Sequence, residues 1–328
     1  MQSSSTALDS TALAAWVDRV WEEEILPELV EYIRVPAKSP LFDHDWEQNG
    51  YMDQVFRQAE AWCRGRDITG LQVELLKEEG RTPLLYLEVP GEGDETVMLY
   101  GHLDKQPEMV GWREDLGPWE PKREGDLLYG RGGADDGYAV FASLAAIEGL
   151  QRQGGRHPRC VVLIEGCEES GSVDLPYYID ALAERIGQVS LVVCLDSFAG
   201  DYERLWSTTS LRGMVAGDLR IEILSEGVHS GGASGLVPSS FRVLRQILDR
   251  VEDSSSGEIL LDRFHVEIPE ARREQAGVAA AALGGSLEAS FPFLEGAQPM
   301  VADPTEQILN KSWPPTLSVT GAGGLPTP

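Results

Sequence analysis

The chain has 328 residues, 42% of them hydrophobic, enough for about two domains with real cores. It carries 27 basic against 54 acidic side chains, a formal charge of −27, so nucleic acid and anionic membranes are excluded as partners by repulsion. Its four cysteines include no CxxC pair, no run approaches the roughly 18 apolar residues that span a bilayer, and no basic-then-apolar leader opens the chain; a reduced, cytoplasmic protein is expected.

In chain order, residues 10–34 repeat apolar side chains at helical spacing, with Leu13, Trp16, Val17, Val20, Ile25, Leu29 and Ile33 on one face. Pro36 and Pro40 then impose a loop, and a second amphipathic helix is expected over 51–65. Short β-type runs follow: LQVELL, PLLYLEV and ETVMLYGHLD (95–104). A long helix is expected over 135–153, and CVVLIEG (160–166) and SLVVCLD (190–196) are near-continuous apolar runs of the kind that parallel strands covered on both faces show. Cys160, Cys167 and Cys194 lie in or beside these runs and are expected to be small buried hydrophobes. Strands alternating with helices imply an open, doubly wound α/β sheet with its ligands beyond the carboxyl ends of the strands. The pattern changes near 206–212: MVAGDLRIEILS (214–225) alternates like a half-exposed strand, 238–252 reads as an amphipathic helix, and 253–311 as irregular or helical. A second α+β unit is expected there.

Four segment ends deposit metal-type ligands. YGHLD supplies His102 and Asp104, GRGGADD supplies Asp135 and Asp136, GCEESGS supplies Glu168 and Glu169, and CLDS supplies Asp196. Each has an ordinary structural reading alone: a strand-end histidine, a helix cap, a solvated acidic loop. At one rim of one sheet they form an imidazole-and-carboxylate set that suits zinc, manganese or cobalt. His102 and Asp104 alternate with Leu103, so both face one side and Asp104 can hold the imidazole. Glu165 precedes the loop and receives no role. GVHSGGASG (227–235) adds His229 in a glycine-rich loop, whereas His44, His157 and His265 have no such context and are expected on the surface.

The segments LYGHLDKQPEMVGW, LLYGRGGADDG, EGCEESGS and LDS resemble the zinc-dependent aminoacylase, glutamate carboxypeptidase and carnosinase family of metallopeptidases, and its carnosinase-like dipeptidase branch in particular. The resemblance is close over about 95–240. It implies a catalytic domain over 1–208 with an inserted lid and dimerisation domain over 209–328. It also implies two divalent metal ions, zinc foremost: His102 and Asp196 on the first, Asp135 bridging both, Glu169 ligating a metal, Asp104 in support and Glu168 as general base. His229 becomes a lid histidine that steadies the oxyanion in a partner subunit, hence a homodimer. The implied substrates are small peptides or acyl-amino acids.

Two features depart from the family. Members commonly carry DDKG where this chain has DDGY, so Gly137 stands in place of a lysine. The final PPTLSVTGAGGLPTP resembles a strand and loop inside the lid, so the family's remaining C-terminal part, with a last metal-binding histidine and a substrate-binding arginine, is expected to be missing. The leading expectation is a dipeptidase working through metal-activated water. The alternatives are an N-acyl-amino-acid deacylase or glutamate-type carboxypeptidase, and a non-catalytic metal-binding or dimerising protein.

Overall fold

The computed structural model describes residues 8–197 and 199–324. The chain forms two compact units, Met1–Ser197 and Phe198–Pro328. Residues 1–7, part of the stretch read as lacking a leader, and the last four residues of the PPTLSVTGAGGLPTP stretch lie outside the described residues.

Unit 1 opens with α1 (Ser10–Val20), whose first amides are capped by the Asp9 carboxylate. A π-helical turn (Trp21–Ile25) joins it to α2 (Leu26–Arg34). Then come α3 (Trp46–Asn49), α4 (Tyr51–Arg64), β1 (Gln72–Leu76), β2 (Leu84–Val89) and β3 (Thr96–His102). A small hairpin of β4 (Lys122–Glu124) and β5 (Leu127–Tyr129) precedes α5 (Ala139–Arg152). The unit closes with β6 (Arg159–Glu165), α6 (Leu175–Ala181), α7 (Ala183–Ile186) and β7 (Leu191–Cys194). The α5 helix begins at Ala139, four residues later than the sequence pattern suggests, because Asp135 and Asp136 take non-helical backbone angles.

The main sheet has the order β1-β2-β6-β3-β7. β6, β3 and β7 are parallel, β2 runs against β6, and β1 runs against β2, so β2 alone is reversed. Alternate side chains divide the sheet between two layers. Leu85, Leu87, Val162, Ile164 and Leu99 face α2, α4 and α5, where Ile33, Phe56, Val140 and Leu144 are buried. Leu84, Tyr86, Met98, Val161 and Leu163 face the other way, against Tyr178, Leu182 and Ile186. Helices therefore cover both faces, each fully buried aliphatic or aromatic side chain contributing about 1.5–3 kcal/mol.

Two local expectations are corrected. β7 is an edge strand, hydrogen-bonded on its β3 side: Leu191 and Val192 are 55% and 56% exposed, and Cys194 is exposed rather than buried. In unit 2 the 214–225 segment is not paired into a sheet, and Met214 and Val215 are largely exposed. An alternating pattern becomes a strand only where another segment completes its hydrogen bonds, and no described segment does so there. Unit 2 is built instead from α8 (Ser230–Ala233), α9 (Ser240–Leu248), α10 (Glu270–Leu283), α11 (Ser286–Ala289) and α12 (Pro304–Ser312). α10 packs on α12, burying Ala276, Ala280 and Leu309. Among the described residues no helix is long and apolar enough to cross a membrane.

Candidate metal centre

The rim at the carboxyl ends of β3, β6 and β7 carries the site. In the parallel register His102 stands opposite Glu165, the last residues of β3 and β6, so the segments that leave these strands run side by side. Gly101 makes the crowding possible: a Cβ there would lie 2.5 Å from the Ala139 Cβ and 2.7 Å from Asp136 Oδ2. With glycine in place, Asp136 closes up and accepts the His102 main-chain N–H at 3.3 Å.

His102 is fully buried. Its Nδ1 lies 3.0 Å from the Asp104 carbonyl oxygen, which can only accept, so Nδ1 carries a hydrogen and Nε2 is the nitrogen left to meet a proton or a cation. Nε2 is buried with no hydrogen-bond partner. It faces carboxylate oxygens of Asp135 at 3.3 Å, Asp196 at 3.6 Å and Glu168 at 3.9 Å. The Asp104 carboxylate is 3.4 Å from Nδ1, and its two oxygens accept the amides of Glu168 at 3.1 Å and Glu169 at 3.0 Å. Asp104 thus grips the imbibed ring chiefly with its main chain and the two-glutamate turn with its side chain.

On the other side of Asp135 stands Glu169, whose Oε2 accepts from Gln106 and whose Oε1 is buried and unpartnered. Two groups of three could hold a cation among the described residues: His102 with Asp135 and Asp196, and His102 with Glu168 and Glu169. A soft-edged nitrogen and several carboxylates suit a borderline divalent ion, and an orphaned buried nitrogen aimed at them is what such an ion satisfies. The residues present therefore fit a divalent metal.

The electrostatics agree. In the metal-free protein burial pulls the His102 imidazole down, but the Asp104, Asp135 and Asp196 carboxylates around it outweigh burial and raise its hold on a proton far above the usual range. Burial pushes Asp136 up to about 8, Glu169 up to about 7, and Glu168 upward as well. Asp135 is lowered, first by its hydrogen bond to His102. Crowded, half-buried acids that would rather bind protons are acids in want of positive charge.

The structure brings His102, Asp104, Asp135, Glu168, Glu169 and Asp196 to one rim. His229 lies on unit 2, exposed, as the N-cap of α8, its Nδ1 accepting the Gly231 amide at 3.1 Å. His44 and His265 are exposed, and His157 is half-buried. The sequence reading passed over Glu165, which is 2% exposed and accepts from the Tyr100 hydroxyl at 2.5 Å, Ser172 at 2.8 Å and the Cys167 thiol at 3.5 Å. That carboxylate braces the Glu168–Glu169 turn from behind. Local spacing carries no signal for it, because its partner Tyr100 lies 65 residues away in the chain.

The chain is 26% identical to the Cys-Gly metallodipeptidase DUG1 of Candida albicans over 343 residues, covering 98% of this chain and 68% of that protein. It is 28% identical to the human beta-Ala-His dipeptidase over 234 residues, 70% of this chain and 45% of that protein. The chain thus aligns with about two thirds of one relative and less than half of the other. The fold is similar to that of human carnosine dipeptidase 1, with a TM-score of 0.66 at 21% identity, over 97% of this chain and 68% of that one. The model of peptidase family M20/M25/M40 matches residues 98–310, the stretch that holds the whole metal-type rim, and the chain belongs to this family of metallopeptidases.

Proposed function

We propose that the protein is a metal-dependent hydrolase of small peptides, a dipeptidase working through the rim of unit 1. One observation carries the reading: the buried, unpartnered Nε2 of His102 faces the carboxylates of Asp135, Asp196 and Glu168 within 3.9 Å. The substrate class is supported by the curated relatives, which are named as dipeptidases.

A bound divalent cation, zinc foremost and manganese or cobalt next, would supply the positive charge that acidifies water and polarises a peptide carbonyl. His102, Asp135 and Asp196 would hold one such ion, and Asp135 with Glu169 would contribute to a second. Glu168 takes the proton of the attacking water and gives it to the leaving amine nitrogen as the carbon–nitrogen bond breaks. Several features suit Glu168 to this. Its side chain is 35% exposed, no hydrogen bond among the described residues ties its carboxylate, and burial raises it toward neutrality. Glu169, turned inward and held by Gln106, suits the ligand role. Asp104 positions both. In the same reading His229 steadies the oxyanion in a partner subunit, which makes the working form a homodimer, and a reducing compartment fits the four free cysteines.

Glu168→Gln is the test. Zinc binding should survive, while turnover of a dipeptide panel should fall about 10³-fold. Unchanged turnover in the zinc-loaded variant would remove Glu168 from the chemistry. In the wild type, preference for N-acyl-amino acids would favour a deacylase instead. Zinc binding with no turnover of any substrate would favour a non-catalytic metal protein.

A further inference from the structure

Lys105, directly after Asp104, is fully buried, and no carboxylate pairs with it among the described residues. Its amine donates to the main-chain carbonyls of Tyr32 at 2.7 Å and Val35 at 2.8 Å at the end of α2, carbonyls that also accept the amides of Val35 and Ala37. It lies 3.8 Å from the centre of the Tyr32 ring. The hydroxyl of that ring donates to the carbonyl of Leu103 at 3.0 Å, the peptide between His102 and Asp104. The main chain of Lys105 adds a second tie: its carbonyl accepts the Ser39 amide at 3.0 Å, and the Ser39 hydroxyl meets that of Ser170 at 2.5 Å, beside the two-glutamate turn.

Two glycines make room for this arrangement. A Cβ at Gly132 would come within 2.8 Å of Lys105 Cε, and a Cβ at Gly137 within 2.2 Å of Tyr32 Cε1. A side chain at 137 and the Tyr32 ring in its present place are mutually exclusive. The lysine common at this position in the resembling family could not be accommodated here, and an amine enters the same neighbourhood from position 105.

We propose that Lys105, acting through Tyr32, is a positioning residue of the metal centre: it fastens the His102–Asp104 segment to the end of α2, in the space that Gly137 leaves open. This rests on the reading of the rim as a metal centre. Burial pushes the amine down to about 6, and the clamp rests on its hydrogen bonds, which an uncharged amine also donates.

The test uses Lys105→Met, which keeps the stem and removes the donors, and Tyr32→Phe, which removes only the hydroxyl. Zinc affinity is measured by chelator competition at a temperature where circular dichroism shows each variant folded, and kcat and KM with a dipeptide are measured beside it. Both variants should bind zinc about 10- to 100-fold more weakly, the range for groups that orient ligands from outside, with kcat falling and KM little changed. Lys122→Met, in an exposed ion pair, should match the wild type. A lowered melting temperature with wild-type zinc affinity and kcat in both variants would make Lys105 merely structural and overturn the proposal. If Lys105→Met does not fold, Tyr32→Phe decides in the same terms. A wild-type protein that binds no zinc would instead sink the metal-centre reading, and the positioning role with it.

Discussion

The two units answer the same kind of sequence pattern differently. In unit 1, alternating apolar residues find neighbours on both sides of β2 and β6, and Leu84, Leu85, Leu87 and Val162 are 0% exposed. In unit 2 the alternating residues of 214–225 find none, and Met214 and Val215 are 89% and 87% exposed. Helices form in both units, because a helix satisfies its own amides and carbonyls while a strand depends on another segment. What separates the units is therefore whether β-type segments are completed, and the metal-type residues gather where they are.

The largest effect should come from a core deletion in unit 1. Leu87→Ala should cost about 2–5 kcal/mol in urea unfolding, against no more than about 0.5 kcal/mol for Met214→Ala. Equal losses would break the contrast. A smaller effect concerns pH in the metal-free protein. Asp136 and Glu169 are raised from ordinary values of 3.8 and 4.5 to about 8 and about 7, so between roughly pH 5 and 8 the folded state keeps protons that the unfolded state has released. Stability should fall as pH rises through that window, and His102, also raised, acts in the same sense above 6.5. Added zinc should release protons at pH 7, and Asp136→Asn with Glu169→Gln should flatten the slope; a slope of undiminished size in that double variant would refute the assignment. The smallest effect should be Arg220→Ala in unit 2, whose pair with Glu222 is 81% and 66% exposed, at under about 0.5 kcal/mol.

Much of unit 1 is legible in the sequence, since β2, β3, β6, α4 and the helices before Pro36 follow local periodicity. The residues of the rim are legible too, because each ends an apolar run. Three things are not. The burial of a strand depends on its place in the sheet, so β7 reads like β6 yet lies at an edge. The unpaired 214–225 segment has the alternation of a strand without a partner to complete it. The braces of the site join residues far apart in the chain, as Tyr100 with Glu165 or Lys105 with Tyr32, and neither pair leaves a mark in local spacing.

Asp104 holds the imidazole with its carbonyl and the amides of both glutamates with its two carboxylate oxygens. The placement of the ring against the two-glutamate turn is then set by the protein and not by its guest. Nε2 stands 3.3 Å from Asp135 and 3.6 Å from Asp196. These residues would be the ones to meet a divalent ion. A carboxylate that spends both its oxygens on the protein's own amides thus fixes where the imidazole and the two glutamates stand relative to each other, whether or not an ion is bound.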